Sequence, residues 1–242
     1  MLKKVIIGIT LDWEDSPTYS VMHPWYALRC NYASSISQLG GVALALPYDM
    51  QAIDQYLEII DGLMVTGGDY DLSPDVYGEE RQLETRIIRN NRTEFEMALI
   101  KAALAKNIPI LAICAGQQLL CAMHGGKLLQ DIQTAFPEVM NHEQKSLGIH
   151  MSEPSHSIKI IPGTLLHKII AKDQMMVNSS HHQAVKSVGD NTVISAVALD
   201  GIIEAIELTN YEFALGVEWH PEYLATDEDK LIVEAFIKAA TK

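Results

Sequence analysis

Residues 109–120 read "PILAICAGQQLL", an apolar run that ends in a cysteine and turns at once into a helix. Ile110 to Ile113 have the continuous apolar pattern of a strand buried on both faces. After Cys114 come Ala115, Gly116, Gln117 and Gln118, and the stretch "GQQLLCAMHGG" reads as a helix stopped by Gly125-Gly126. A buried strand entering a helix through a turn this short is an α/β feature. The tight turn demands small neighbours, and Ala112, Ala115 and Gly116 supply them.

Short β-branched runs alternate with helix-period segments along the first half of the chain. Val5 to Thr10, Val42 to Leu46 and "DGLMV" read as strands. Tyr26 to Leu39, "QAIDQYLEII" and Thr93 to Lys106 read as helices. In the second half, "HSIKIIPGT", "NTVISAVAL", "GIIEAIEL" and "FALGVEW" are strand-like runs parted by Gly, Asp and Asn turns. A helix from about Asp227 to Ala240 closes the chain, its acidic start favoured by the helix dipole. The 242 residues hold no Gly-, Ser- or Pro-rich linker and no repeat, so a single domain over 1–242 is expected.

Charge and cysteine usage narrow the function. A net charge of −13, with no basic stripe, argues against nucleic acid and anionic membranes as partners. The opening "MLKKVIIGIT" has too short an apolar stretch for a signal peptide, acidic residues follow it, and no segment is long enough to span a membrane. Cys30, Cys114 and Cys121 are odd in number and lack metal-site or CxxC spacing, which fits a reducing cytoplasm.

The turn at Cys114 has the makings of a nucleophile elbow. A helix N-terminus aimed at the sulfur favours thiolate, and the N–H of Ala115 is free to face an oxyanion. By itself this motif fits a buried packing cysteine equally well. A cysteine nucleophile needs a base, and "GVEWHPE" offers one: an apolar strand ends near His220, and Pro221 turns the chain so that Glu222 can orient the imidazole. "TGGDYDLSPDVYGEE" follows another buried strand, and its Gly67-Gly68 pair can supply a second oxyanion donor or be a plain turn. A metal is not expected: the His220/Glu222 pair lacks a nearby third ligand, and the adjacent His181 and His182 point in different directions.

These motifs together resemble the class I glutamine amidotransferases, and within them the stand-alone γ-glutamyl hydrolases of the γ-glutamyl-γ-aminobutyrate hydrolase type (peptidase C26). The match rests on "GIT", "LGG" with "LP", "DGLMVTGGDYDLSPDVYGEE", "RTEFEMALIKAAL", "PILAICAGQQLL", "GGKLLQDI", "VNSSHHQAV", "DGIIEAIE" and "GVEWHPE", in order along nearly the whole chain. The resemblance implies a flavodoxin-like fold, a central mostly parallel sheet flanked by helices with a smaller antiparallel element. It implies Cys114 as nucleophile, His220 as base and acid, and Glu222 as orienting carboxylate. It places the oxyanion hole at Gly68 (or Gly67) and Ala115, and substrate contacts at Gly67, Gln118, Ser179 and His181. No cofactor is implied.

Four departures stand out. Ala115 takes the place of an arginine and Ala112 that of a glycine, while Thr93 stands where aspartate is common and Glu218 where glutamine is common. If Glu218 points toward His220, its charge should raise the pKa of that histidine. The expected activity is cleavage of a γ-glutamyl amide through a γ-glutamyl thioester. A glutaminase subunit serving a separate synthase and a non-catalytic binding member are the other classes, and a homodimer is left open.

Overall fold

The computed structural model describes residues 4–14 and 24–241, so Asp15, one of the acidic residues after the first strand, lies outside it. Among the described residues the central feature is a mixed sheet of 11 strands. Five run parallel in the order Val42–Leu46, Ile6–Thr10, Gly62–Val65, Ile110–Ile113 and Ala214–Val217. The antiparallel strands Ile203–Leu208, Thr192–Ala198, His156–Ile160 and Gln174–Val177 extend the same sheet beyond Ala214–Val217. The antiparallel portion is therefore continuous with the parallel one. Ala184–Ser187 branches off it, pairing with Ile203–Leu208 and with Lys127–Leu129.

The apolar runs explain this arrangement. All four residues of Gly62–Val65, Ile110–Ile113 and Ala214–Val217 are buried, as expected of parallel strands covered on both faces. Alternate residues of one strand enter different cores: Leu111 and Ile113 join one cluster, Ile110 and Ala112 the other. The first cluster takes Ile36 from the helix Cys30–Gln38 and Phe236 from the helix Asp227–Ala239. The second takes Leu99 from Asn90–Ala105 and Leu119 from Ala115–Met123. Among the described residues no helix is long and apolar enough to cross a membrane.

One expected element is shorter. The helix read from Tyr26 begins only at Cys30, because Trp25–Ala27 pairs with Asp12–Glu14 as a separate two-stranded ribbon. Aromatic packing holds it there: the Tyr26 ring lies 5.5 Å from Trp13 and 5.0 Å from Tyr48.

Candidate active site

Three adjacent parallel strands end at one place. Gly62–Val65 runs into Thr66-Gly67-Gly68, Ile110–Ile113 into Cys114, and Ala214–Val217 toward His220. The carboxyl edge of a parallel sheet is where open α/β folds bind ligands.

Cys114 occupies a strained backbone conformation, φ 51° and ψ −111°. Few L-residues adopt it, so the surrounding structure must enforce it. Its N–H donates to the Val217 carbonyl at 2.8 Å, and its carbonyl accepts from Gln118 N–H at 3.0 Å, the first turn of the following helix. Gly116 is required by space, since a Cβ there would stand 2.5 Å from the Val65 carbonyl oxygen. Strand, strained cysteine and helix thus form the expected elbow.

His220 lies beside it. Its Nδ1 meets Glu222 Oε1 at 2.8 Å, while the buried Nε2 has no hydrogen-bond partner; the ring shares the wall of one depression with Cys114. Burial works to lower the imidazole pKa, but Glu222 and Cys114 outweigh it and hold the ring well above its ordinary range. Burial pushes the Cys114 thiol up, and the neighbouring His220 pulls it back. Glu222 itself is buried within a short 3₁₀ turn, Pro221–Tyr223.

The glycine pair is held from behind. Arg92, fully buried, donates through Nη2 to the carbonyls of Thr66 at 2.7 Å and Gly67 at 3.1 Å. The Gly67 N–H donates to Tyr32 Oη at 3.0 Å. A trans peptide points its carbonyl and the next N–H in opposite directions, so fixing the Gly67 carbonyl on Arg92 turns the Gly68 N–H away from it. Gly68 and Ala115 both border a cleft that also exposes Cys114. A second depression, which shares Gly68, Cys114 and Ser180 with the first, is also lined by Arg29, Lys145, His220 and Tyr223.

The remaining predicted residues divide. Gln118 borders the cleft, but its Nε2 donates to Glu218 Oε1 at 2.6 Å. Ser179 is fully buried, its Oγ donating to the His142 carbonyl at 2.6 Å, and the neighbouring Ser180 borders the cleft. His181 borders it too, yet its ring is turned inward, with Nδ1 on the Gln183 carbonyl at 2.9 Å. His182 takes separate partners, Asp71 at 2.7 Å and Asp131 at 3.2 Å, as expected of adjacent histidines. Glu218 does not aim at His220: its carboxylate accepts from Gln117 and Gln118. The strand ends at Val217, so the alternation that would set Glu218 and His220 on one face stops before either.

The sequence reading passed over Tyr32, Arg92 and Asn178. Asn178 sits inside the quoted stretch "VNSSHHQAV", and Arg92 forms an i,i+4 pair with Glu96 on its helix, a spacing visible in the sequence.

Residues 5–222 match the family model described as Peptidase C26. The chain belongs to the peptidase C26 family. It is 38% identical to a protein of Rickettsia prowazekii named as glutamine amidotransferase-like, over 99% of both chains. It is 33% identical to the γ-glutamyl-γ-aminobutyrate hydrolase of Escherichia coli K12, over 90% of this chain and 87% of that one. Among solved structures, a GMP synthase component of Thermoplasma acidophilum superposes with a TM-score of 0.65 at 15% identity, covering 98% of this chain and 94% of that one. The glutaminase domain of Trypanosoma brucei CTP synthase gives 0.60 at 17% identity, with the same coverage. At these identities the two structures establish a common fold, that of class I glutamine amidotransferase domains.

Proposed function

We propose that this peptidase C26 chain is a γ-glutamyl hydrolase with Cys114 as nucleophile. The observation that carries the reading is the strained Cys114 set beside a buried His220–Glu222 pair at the mouth of a cleft. The strain has no packing purpose, since any relaxed turn would bury a cysteine as well.

In this mechanism His220 takes the thiol proton, and the sulfur attacks the γ-carbonyl carbon of the substrate. The carbonyl π electrons move onto oxygen, where the N–H groups of Gly68 and Ala115 stabilise the charge. His220 then protonates the leaving amine as the C–N bond breaks, leaving a γ-glutamyl thioester. A water molecule, deprotonated by His220, attacks the thioester and releases glutamate and the thiol. Glu222 holds Nδ1 protonated and supports the imidazolium.

The cleft walls suit a zwitterionic γ-glutamyl group. Both signs of charge line them: Arg29 is paired with Asp69 and Arg86 with Glu143, and Lys145 stands beside them, so a zwitterionic substrate would exchange partners with these ion pairs. Ala115, where the family resemblance has arginine, presents only a methyl group beside the nucleophile, leaving room for a bulkier substrate.

Glutamate release from a panel of γ-glutamyl amides, glutamine included, tests the reading with Cys114→Ala as control. Preference for one γ-glutamyl amine over glutamine supports it. Hydrolysis of glutamine alone, rising on addition of a synthase, would favour a glutaminase subunit instead.

A further inference from the structure

Behind the wall of the cleft that carries Ser180 and Gln183 lies a buried cluster the mechanism does not use. His142, His181 and Glu204 bring one ligand atom each to within 4.8 Å of one another, and all three are buried. They come from a loop, the turn after Gln174–Val177 and the strand Ile203–Leu208.

The hydrogen bonds around the cluster fix which ring nitrogens carry protons. His181 Nδ1 faces the Gln183 carbonyl at 2.9 Å, and a carbonyl oxygen only accepts, so Nδ1 is the protonated atom. His142 Nε2 faces Asp200 Oδ2 at 3.0 Å, an oxygen that already accepts from Met140 N–H at 3.2 Å. In the neutral imidazoles the remaining atoms, His181 Nε2 and His142 Nδ1, therefore hold bare lone pairs. Both point at the Glu204 carboxylate: Oε1 lies 3.3 Å from His142 Nδ1 and 3.6 Å from His181 Nε2. Three acceptors therefore converge; Ser179 Oγ lies 3.5 Å from His142 Nδ1 but donates to the His142 carbonyl, and His156 Nε2 reaches only Glu204 Oε1, from outside the cluster. His181 Nε2 and Glu204 Oε2 have no hydrogen-bond partner, although both side chains are almost completely buried. Such an arrangement needs positive charge at its centre.

From this convergence we infer that His142 Nδ1, His181 Nε2 and the Glu204 carboxylate bind a divalent metal ion, zinc by donor preference. Nitrogen–nitrogen–oxygen sets suit zinc, and metal bonds of about 2.0–2.1 Å in a tetrahedron place ligand atoms about 3.3 Å apart. The outward ring nitrogens, bonded to a carboxylate and to a backbone carbonyl, have the outer-shell partners typical of metal-bound histidines. His156 stands on the far side, its Nε2 3.2 Å from Glu204 Oε1, where it orients the carboxylate. The ion would pin the 178–183 segment, which forms part of the cleft wall, to the sheet. Two extra protons, one on each imidazole, would supply the same charge without an ion, and the experiment separates these two cases.

The full chain, purified without a histidine tag from zinc-supplemented medium, is analysed for metal by mass spectrometry. About one zinc ion per chain is expected. Glu204→Gln and His142→Gln should lose it, His182→Gln should keep it, and Asp200→Asn should weaken binding by about 10–100-fold. Chelator-stripped wild-type chain should regain thermal stability on titration with zinc, and should show the visible absorption of tetrahedral cobalt when given Co²⁺. These two readouts hold even if a variant fails to fold. Absence of metal together with no response to zinc or cobalt overturns the inference. So does zinc that persists in both Glu204→Gln and His142→Gln.

Discussion

Asn178 grips His220 by both backbone groups. Its Oδ1 accepts the His220 N–H at 2.8 Å, and its Nδ2 donates to the His220 carbonyl at 3.0 Å. The base in the proposed mechanism is thus held by a side chain from a different strand end, 42 residues away in sequence. Asn178→Ala would leave a buried N–H and carbonyl unpaired, a loss of about 1–3 kcal/mol each when unsatisfied. Denaturant titration should show that loss. In the fraction that stays folded, kcat should fall at least about tenfold with KM little changed, because the ring loses its fixed position relative to Cys114. A rise in KM with kcat unchanged would contradict this.

Arg92 orients the glycine pair through the carbonyls of Thr66 and Gly67 and is itself paired with Glu96 at 3.0 Å. Removing one partner of a fully buried pair strands the other charge, so Arg92→Met should destabilise by about 3–5 kcal/mol. Adding Glu96→Leu should recover part of that. Activity in the double variant should remain low, approaching the roughly 10²–10³-fold deficit in kcat that follows loss of one oxyanion donor. Restored stability with full activity would show that Arg92 only packs.

The backbone at Cys114 stores strain that glycine does not feel. Cys114→Gly should therefore be more stable than Cys114→Ala by about 1 kcal/mol, the relief of strain exceeding glycine's entropic penalty. Equilibrium unfolding of the two variants side by side measures it. An alanine variant of equal or greater stability would mean that the elbow is relaxed.

Burial pushes the Asp229 carboxyl up from 3.8 to about 6, against the donated bonds of Trp219 and Thr226. The folded chain then holds this proton more tightly than the unfolded chain. Stability from it is complete below about pH 4 and is lost as pH rises through about 6, by up to about 3 kcal/mol. Asp229→Asn lacks this titration. The stability of wild type relative to Asp229→Asn should fall between pH 4 and 7, measured by urea unfolding across that range; a constant difference would refute the shift.

Much of this architecture is written locally. The buried runs at Ile110–Ile113 and Ala214–Val217 announce their strands, and the small residues flanking Cys114 announce the elbow, because each depends only on neighbours in sequence. Features that depend on distant residues are not so written. Nothing near Tyr26 shows that Tyr48 will draw it into a ribbon, and nothing near Glu204 shows that His142 and His181 will face it. Ser179 and His181 illustrate the same limit within one motif: both lie in "VNSSHHQAV", but packing against His142 and Glu204 turns their side chains inward. Ser180 reaches the cleft instead.

The most direct test of the proposed chemistry is the covalent state of Cys114 during turnover. Wild-type chain is mixed with a cleaved γ-glutamyl amide, quenched in acid within the first turnovers, digested and analysed by peptide mass spectrometry. A glutamyl group on the peptide carrying Cys114, absent from Cys114→Ala together with glutamate release, is the predicted result. Glutamate release that survives Cys114→Ala would contradict it, as would a glutamyl group carried instead by Cys30 or Cys121.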